Sequence, residues 1–373
     1  MPAVAPNLPP GQRVVVEAYG QTPLDALAQH VRIEPQPAPS PSELAPHEAI
    51  VAIHSAAVGW VDLLMTSGQY QHMAEPPYTP GLELSGEVAW ASSACDVAVG
   101  TPVLVDPFHV GPRTSGDYRR WGGFASWAVA PSEALLPLPD GFGHDQAVSL
   151  LGNYETAYHC LVVRGRLQKG ETVLILGASG STGLAAVHVA KRVGATVIAT
   201  GRSPDKNALV AEEGADHVID TGTDDGSVRR FRDEVKALTG GKGVDVVYDG
   251  VGGALSLEAL RCVRFGARFV IVGWAATPFV AKGKGGRGAP NANQLPTNLI
   301  MMKGLDVLGS PTVIGTKNDP SLRAPRLKQI WQWVDEGLRP RVGATFPMSE
   351  VHAAMRAKWE SRVVGSCVLH PRR

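Results

Sequence analysis

Cysteine is scarce in this chain: Cys95, Cys160, Cys262 and Cys367 lie far apart, and no C-x-x-C occurs among them. Such spacing argues against metal knuckles and disulfide frameworks and reads the four as small buried hydrophobes. An excess of charge is missing too. Lys plus Arg and Asp plus Glu are 35 each, so no global field recruits nucleic acid or anionic lipid, and an anionic ligand has to be met locally. No segment offers the roughly 18 consecutive apolar residues that span a bilayer. The first ten residues have neither a basic start nor a continuous apolar stretch. No internal repeat is found. These absences lead to the expectation of a soluble cytoplasmic protein that binds neither nucleic acid nor membrane.

What remains is a chain of 373 residues, 44% hydrophobic and 19% charged, long enough that two domains are expected. From Val14 to about Leu138 the text is short β-prone runs broken by Gly and Pro: 14–16, 49–53, 86–88, 102–105 and 125–129. This punctuation predicts a barrel-like β domain. Within it, residues 35–42 form a Pro-rich connector that cannot join a central sheet. A second pattern begins near Ala147. A helix through 153–159 precedes strands at 173–176, 196–200, 217–220, 244–248 and 269–272. Between them fall a helix with Val228, Phe231, Val235 and Leu238 on one face and another over 255–262. Alternation at this spacing forces parallel pairing with right-handed crossovers. A last helix carries Leu327, Ile330 and Val334, and a strand at 365–369 returns to the first domain.

The central stretch is Val173-Leu-Ile-Leu-Gly-Ala-Ser-Gly-Ser-Thr-Gly183, followed by a helix with Leu184, Val187 and Ala190 on its apolar side. A buried strand, a turn of small residues and a helix start are what a dinucleotide pyrophosphate needs. Gly180 admits the backbone to the phosphates, and Gly183 allows close helix–strand packing. Ser179, Gly180, Ser181 and Thr182 are the pyrophosphate candidates. Ala178 replaces the first glycine of the usual pattern, so a nucleoside-binding methyltransferase is the alternative for the turn alone. At the end of the second strand, the place of the ribose-binding acid of NAD enzymes is Gly201, followed by Arg202, Ser203 and Lys206. An Asp there would repel a 2′-phosphate, whereas these side chains accept one by charge-assisted hydrogen bonds. NADPH is therefore expected over NADH, and the methyltransferase alternative weakens.

Taken with Val58-Gly-Trp-Val-Asp-Leu-Leu-Met-Thr-Ser-Gly-Gln-Tyr70, Pro80-Gly-Leu-Glu-Leu-Ser-Gly-Glu-Val88, Gly122-Gly-Phe-Ala125, Thr156-Ala-Tyr158, Asp249-Gly-Val-Gly-Gly253, Val272-Gly273 and Pro296-Thr-Asn-Leu-Ile-Met-Met-Lys303, the chain resembles the zinc-independent, zeta-crystallin-like quinone reductase branch of the medium-chain dehydrogenase/reductase superfamily. The resemblance implies an α/β protein: a Rossmann doubly wound parallel sheet plus a GroES-like β-barrel catalytic domain, with the active site in the cleft. The catalytic domain is expected over 1–150, completed by 325–373, and the NADP-binding domain over 151–324. Relatives that use catalytic zinc carry ligands at the positions of Gly59, Leu82 and Gly152, none of which can bind metal. Without a Lewis acid, the implied chemistry is hydride delivery to a quinone or a double bond conjugated to a carbonyl.

By family position, Thr156, Val251, Gly273, Trp274 and Asn298 approach the nicotinamide and its ribose. Tyr70 and Tyr154 are candidates to donate the proton or orient a water that does, and equally fit the wall of the pocket. Glu83 reads as a structural carboxylate. Three departures bear on the substrate: Gly59 with bulky Trp60 on the pocket floor, an enlarged loop over 106–121 with His109, Arg113, Tyr118, Arg119 and Arg120, and a basic loop over 279–294. The loops read either as receptors for an anionic acceptor or as solvated surface. A 2-enoyl-CoA reductase and a cofactor-binding protein without turnover are the alternatives. The resemblance also implies a homodimer, with 305–310 as an edge strand across the two-fold axis.

Overall fold

Six apolar-rich segments between Thr172 and Gly309 pair as a sheet in the computed structural model, which describes residues 8–277 and 293–373. In chain order they are Thr172–Leu176, Thr196–Gly201, His217–Asp220, Val244–Asp249, Val263–Ile271 and Asp306–Gly309. Across the sheet they lie 3-2-1-4-5-6, every neighbour parallel. Val173, Leu174 and Ile175 of the first strand are fully buried, as a strand covered on both faces requires. This is the doubly wound Rossmann arrangement. Its order reverses between strands one and four, the switch point where such sheets take ligands at their carboxyl ends. His217–Asp220 and Asp306–Gly309 are its two edge strands.

The helix Ser181–Val193 follows the first strand, buries Leu184, Val187 and Ala190, and ends at Gly194, whose φ of 88° is left-handed. The helix Leu151–Tyr158 packs beside it and continues as a π-helix over His159–Arg164. Glu155, buried on that helix, accepts from Arg326 Nη2 at 2.6 Å and Arg323 Nη2 at 3.0 Å. Arg326 is 0% exposed. This triad belongs to the second unit and keeps the helix Arg323–Asp335 with it, so the chain re-enters the first unit at Pro340, later than the expected 325. The expected helix over 228–238 is shorter, Arg232–Leu238. Asp225 takes the Ser227 N–H and the Thr223 hydroxyl in a tight turn, and Glu258 Oε1 accepts from the N–H groups of Phe231 and Arg232, fixing the later start.

The first unit contains the described residues up to Leu150 and Pro340–Arg373. Its main sheet runs Val342–Pro347, Ser366–His370, Glu48–Ala57, Leu84–Ala91, Pro102–Val105, Leu135–Pro137, with Trp127–Pro131 also paired to Glu48–Ala57. The returning strand is antiparallel to Glu48–Ala57, with Val368 opposite Ala57. Pro35 does join a strand, Val31–Gln36, but in a separate two-stranded sheet with Gly11–Val16, where it breaks no central ladder. The helix Val351–Trp359 buries Val351, Ala354 and Met355 in the same core as Leu63, Met65 and Leu369. Among the described residues no helix is long and apolar enough to cross a membrane.

Replacing Glu155 by Ala strands two guanidinium groups, one fully buried, and is expected to destabilise the protein by about 3–5 kcal/mol, read from the urea midpoint. Burial, then the charges of Arg326 and Arg164, push His159 down from 6.5 to about 4. Its folded value lies below the unfolded one, so its contribution is present above pH 6.5 and fades as pH falls towards 4. The urea midpoint of a His159→Asn variant is expected to fall less steeply over that window than that of the unchanged protein.

Candidate functional site

The glycine turn is shaped by what it cannot hold. At Gly183 a Cβ would stand 2.4 Å from the Gly177 carbonyl oxygen and 2.9 Å from Ala178 Cα. Gly177 has φ +69°, and a Cβ there would meet Val251 Cγ2 at 2.7 Å. Ala178 is fully buried and its N–H donates to the Thr200 carbonyl, so the missing first glycine is filled by a side chain pointing inward. Gly180 is exposed, with only the Gly177 oxygen at 3.6 Å from a would-be Cβ. The helix makes its first backbone bond from Leu184 N to Gly180 O at 2.8 Å, so the N–H groups of its first turn have no carbonyl within the helix. No acidic residue lies in that turn. Thr182 Oγ1 donates to Asn153 Oδ1 at 3.0 Å, tying the turn to the preceding helix, and Thr156 Oγ1 bonds its own helix at the Gly152 carbonyl.

At the second strand's end a Cβ on Gly201 would lie 1.9 Å from Asn207 Oδ1. Asn207 thus occupies the space above this glycine. Arg202 is exposed and makes no hydrogen bond or ion pair among the described residues. Lys206 is half-buried; burial first, and the Arg202 charge second, push its ammonium down. Two cations that disfavour one another are relieved by an anion placed with them.

The fourth strand ends in Asp249, fully buried, whose Oδ1 accepts from Val251 N at 3.0 Å and Gly252 N at 2.9 Å, while Oδ2 accepts from the Ser256 hydroxyl. Burial pushes this carboxyl up. The carbonyl of Asp249 also takes the N–H of Gly273 at 3.2 Å, and Ala275 N reaches Gly250 O, so Gly273 and Trp274 are brought beside the Gly250–Gly252 turn, while Val251 stands against Gly177. Trp274 is 38% exposed there. Asn298 stands exposed in the helix Thr297–Lys303 and makes no hydrogen bond among the described residues.

Tyr154 is 2% exposed, and its hydroxyl pairs with His188 Nδ1 at 2.7 Å; His188 Nε2 meets Glu213 Oε2 at 2.9 Å. Its hydroxyl is therefore engaged on the second turn of the helix that starts at Ser181. Tyr70, in the first unit, is half-buried with its hydroxyl unbonded among the described residues and its ring edge-on to His72 at 6.1 Å. Nearby Asp62 is buried and takes N–H groups from Gly59 at 2.9 Å, Gly81 at 3.0 Å and Leu82 at 3.2 Å. Burial outweighs these bonds and lifts its carboxyl to about 6. Trp60 stacks on Trp359 with centroids 4.7 Å apart. Glu83 is half-buried. The loop 279–294 lies outside the described residues except for its last two positions. Among the described residues, no three His, Cys, Asp or Glu side chains are grouped to hold a metal ion.

Asn153, Asn207 and Asp249 were not singled out from the sequence. Asn153 adjoins Tyr154, and Asp249 opens the Asp249–Gly253 motif at the end of the fourth strand, but neither position signals the bonds its side chain makes.

Residues 45–140 match the alcohol dehydrogenase GroES-like domain, and residues 181–321 match the zinc-binding dehydrogenase family. A quinone oxidoreductase-like protein 2 homolog from Nematostella vectensis is 31% identical over 334 residues, covering 89% of this chain and 84% of that protein. A probable oxidoreductase from Mycobacterium abscessus is 26% identical, with TM-score 0.78 over 97% of this chain and all of that one. The quinone oxidoreductase of Thermus thermophilus, whose complex with NADPH is also solved, is 26% identical, with TM-score 0.70 over 96% of this chain and 99% of that one. A dinucleotide-type turn on a doubly wound sheet, joined to a GroES-like unit, defines an oxidoreductase. The chain belongs to the medium-chain dehydrogenase/reductase superfamily, in its zinc-independent quinone reductase branch.

Gly183→Ala forces a methyl group against the Gly177 carbonyl, and a loss of about 1–3 kcal/mol is expected by chemical denaturation. A stability equal to that of the unchanged protein would show that the turn relaxes freely.

Proposed function

We propose that the protein is an NADPH-dependent reductase that reduces quinones or α,β-unsaturated carbonyl compounds without a metal ion. The observation that carries this is the second strand's end: Asn207 packed over Gly201, no acid, and the paired cations Arg202 and Lys206. Likeness to quinone oxidoreductases, one of them solved with NADPH, supports it.

The residues present fit a phosphorylated dinucleotide. Arg202, Ser203 and Lys206 bind the 2′-phosphate, and an Asp at Gly201 would oppose it. Ser179, Gly180, Ser181 and Thr182 take the pyrophosphate at a helix start free of acid. Thr156, Val251, Gly273, Trp274 and Asn298 border the nicotinamide and its ribose, with Asp249 fixing the turn on which Val251 stands. Bound NADPH supplies a hydride. Reduction of a quinone or an enone then needs one proton as well, and Tyr70, whose hydroxyl is unbonded among the described residues, is the donor or orients the water that is. Tyr154, its hydroxyl engaged with His188, serves as a wall of the second unit's site, where the neighbouring Asn153 takes the Thr182 hydroxyl. Gly59, Leu82 and Gly152 carry no metal-binding side chain. The first unit, completed by the C-terminal tail, supplies the acceptor site. The protein works in the cytoplasm as a homodimer, with the edge strand Asp306–Gly309 pairing across a two-fold axis.

NADPH oxidation is expected with simple quinones and enones, and tight NADPH binding without turnover on any of a broad set refutes the catalytic reading. Arg202→Ala is expected to weaken NADPH by about 1–3 kcal/mol while leaving NADH unaffected, measured by fluorescence titration. Unaltered binding of both cofactors removes the phosphate assignment.

A further inference from the structure

Most arginines held inside this protein have a carboxylate. Arg264 reaches Asp245, Arg268 reaches Glu171, and Arg323 and Arg326 share Glu155. Arg113, on the enlarged loop of the first unit, does not. It is half-buried, its Cζ lies 5.7 Å from the centroid of the Phe108 ring, and it makes no hydrogen bond or ion pair among the described residues. A guanidinium brings five donors and no acceptor, so withdrawing it from water without a partner is unfavourable. Cation–π contact with Phe108 offsets only part of that cost.

The loop that carries Arg113 is firmly built. Asp106 is buried and its Oδ1 takes the Phe108 N–H at 2.9 Å. Gly111 N donates to Tyr118 O at 3.1 Å, Thr114 Oγ1 closes onto Gly111 O at 2.7 Å, and Tyr118 OH donates to Glu48 Oε1 at 2.6 Å. Gly111 has φ +107°, and a Cβ there would be 3.7 Å from the carbonyl oxygens of both Gly81 and Leu82. Those two residues supply two of the three N–H groups that hold Asp62. The loop is thereby seated against the peptides around Asp62, close enough for the Arg113 charge to act on that carboxyl, although no ion pair joins them. Asp62 is already satisfied by backbone donors, which leaves the guanidinium's own donors unused. Arg119, on the same loop, has a buried Nε that likewise makes no hydrogen bond among the described residues.

We propose that Arg113 is a specificity-determining residue that binds an anionic group, a carboxylate or sulfonate, carried by the acceptor beside its reducible ring or double bond. A planar guanidinium is suited to such groups because it can meet two oxygens at once. The proposal rests on reading the first unit as the acceptor-binding part of a reductase.

The test compares a matched pair of acceptors, 1,2-naphthoquinone-4-sulfonate and uncharged 1,2-naphthoquinone, with the full chain and NADPH. In Arg113→Gln the ratio of kcat/KM for the sulfonate to that for the neutral quinone is expected to fall about tenfold or more. Arg113→Lys, which keeps the charge but not the fork, is expected to recover part of that ratio. Equilibrium dialysis of both quinones reads the same preference without turnover, so an inactive protein that still favours the sulfonate through Arg113 refutes the reductase reading, and with it the acceptor role, while upholding Arg113 as the anion-binding residue. If the Gln variant does not fold, salt titration of the unchanged protein and the Lys variant replace it: selective weakening of the sulfonate by salt and by Lys upholds the assignment. An unchanged ratio in the folded Gln variant, or equal salt effects on both quinones, overturns it.

Discussion

The constraint on which the second unit's turn depends is backbone against backbone: the start of the helix Ser181–Val193 lies so near the end of the first strand that position 183 has room for hydrogen alone. That approach aims the N–H end of the helix at the carboxyl edge of the sheet, where the strand order reverses. The neighbouring strand answers with Asp249, which ties down the Val251–Gly252 turn with its own side chain. Two rigid turns therefore face one another through Gly177 and Val251, and neither depends on a flexible loop for its shape.

Much of this was legible because it is local. Alternating apolar runs and glycines state where strands stop and helices start, and Gly201 followed by Arg202, Ser203 and Lys206 states its charge preference within six residues. Partners distant in sequence were not legible. Glu258 sets the start of a helix at residue 232, and Glu155 reaches across a separation of 171 residues to Arg326; neither contact has a spacing rule. The same holds for Tyr154. Its place in a family motif said nothing about which way the hydroxyl turns, and His188 decides that.

The first unit repeats the logic with a carboxylate in place of glycine. Asp62 is too buried to be an easy anion, yet it gathers three N–H groups from two chain segments and so joins the helix Trp60–Thr66 to the Gly81–Leu82 turn. The enlarged loop is seated on that turn through Gly111. An insertion that departs from the family pattern is thus anchored on one of the family's shared motifs, which gives its side chains fixed positions.

A formal charge of zero conceals this arrangement, because a sum cannot tell paired from unpaired cations. Glu155, Glu171 and Asp245 neutralise the arginines that hold the second unit together. Arg202 and Arg113 have no carboxylate in ion-pair contact among the described residues, one in each unit, where the proposed reading puts an anionic group. Exposed charges separated by more than about 8 Å are largely screened at physiological ionic strength. A neutral protein can then recognise anions at chosen points and carry no field that gathers them elsewhere, which suits an enzyme whose cofactor is polyanionic and whose acceptors are small.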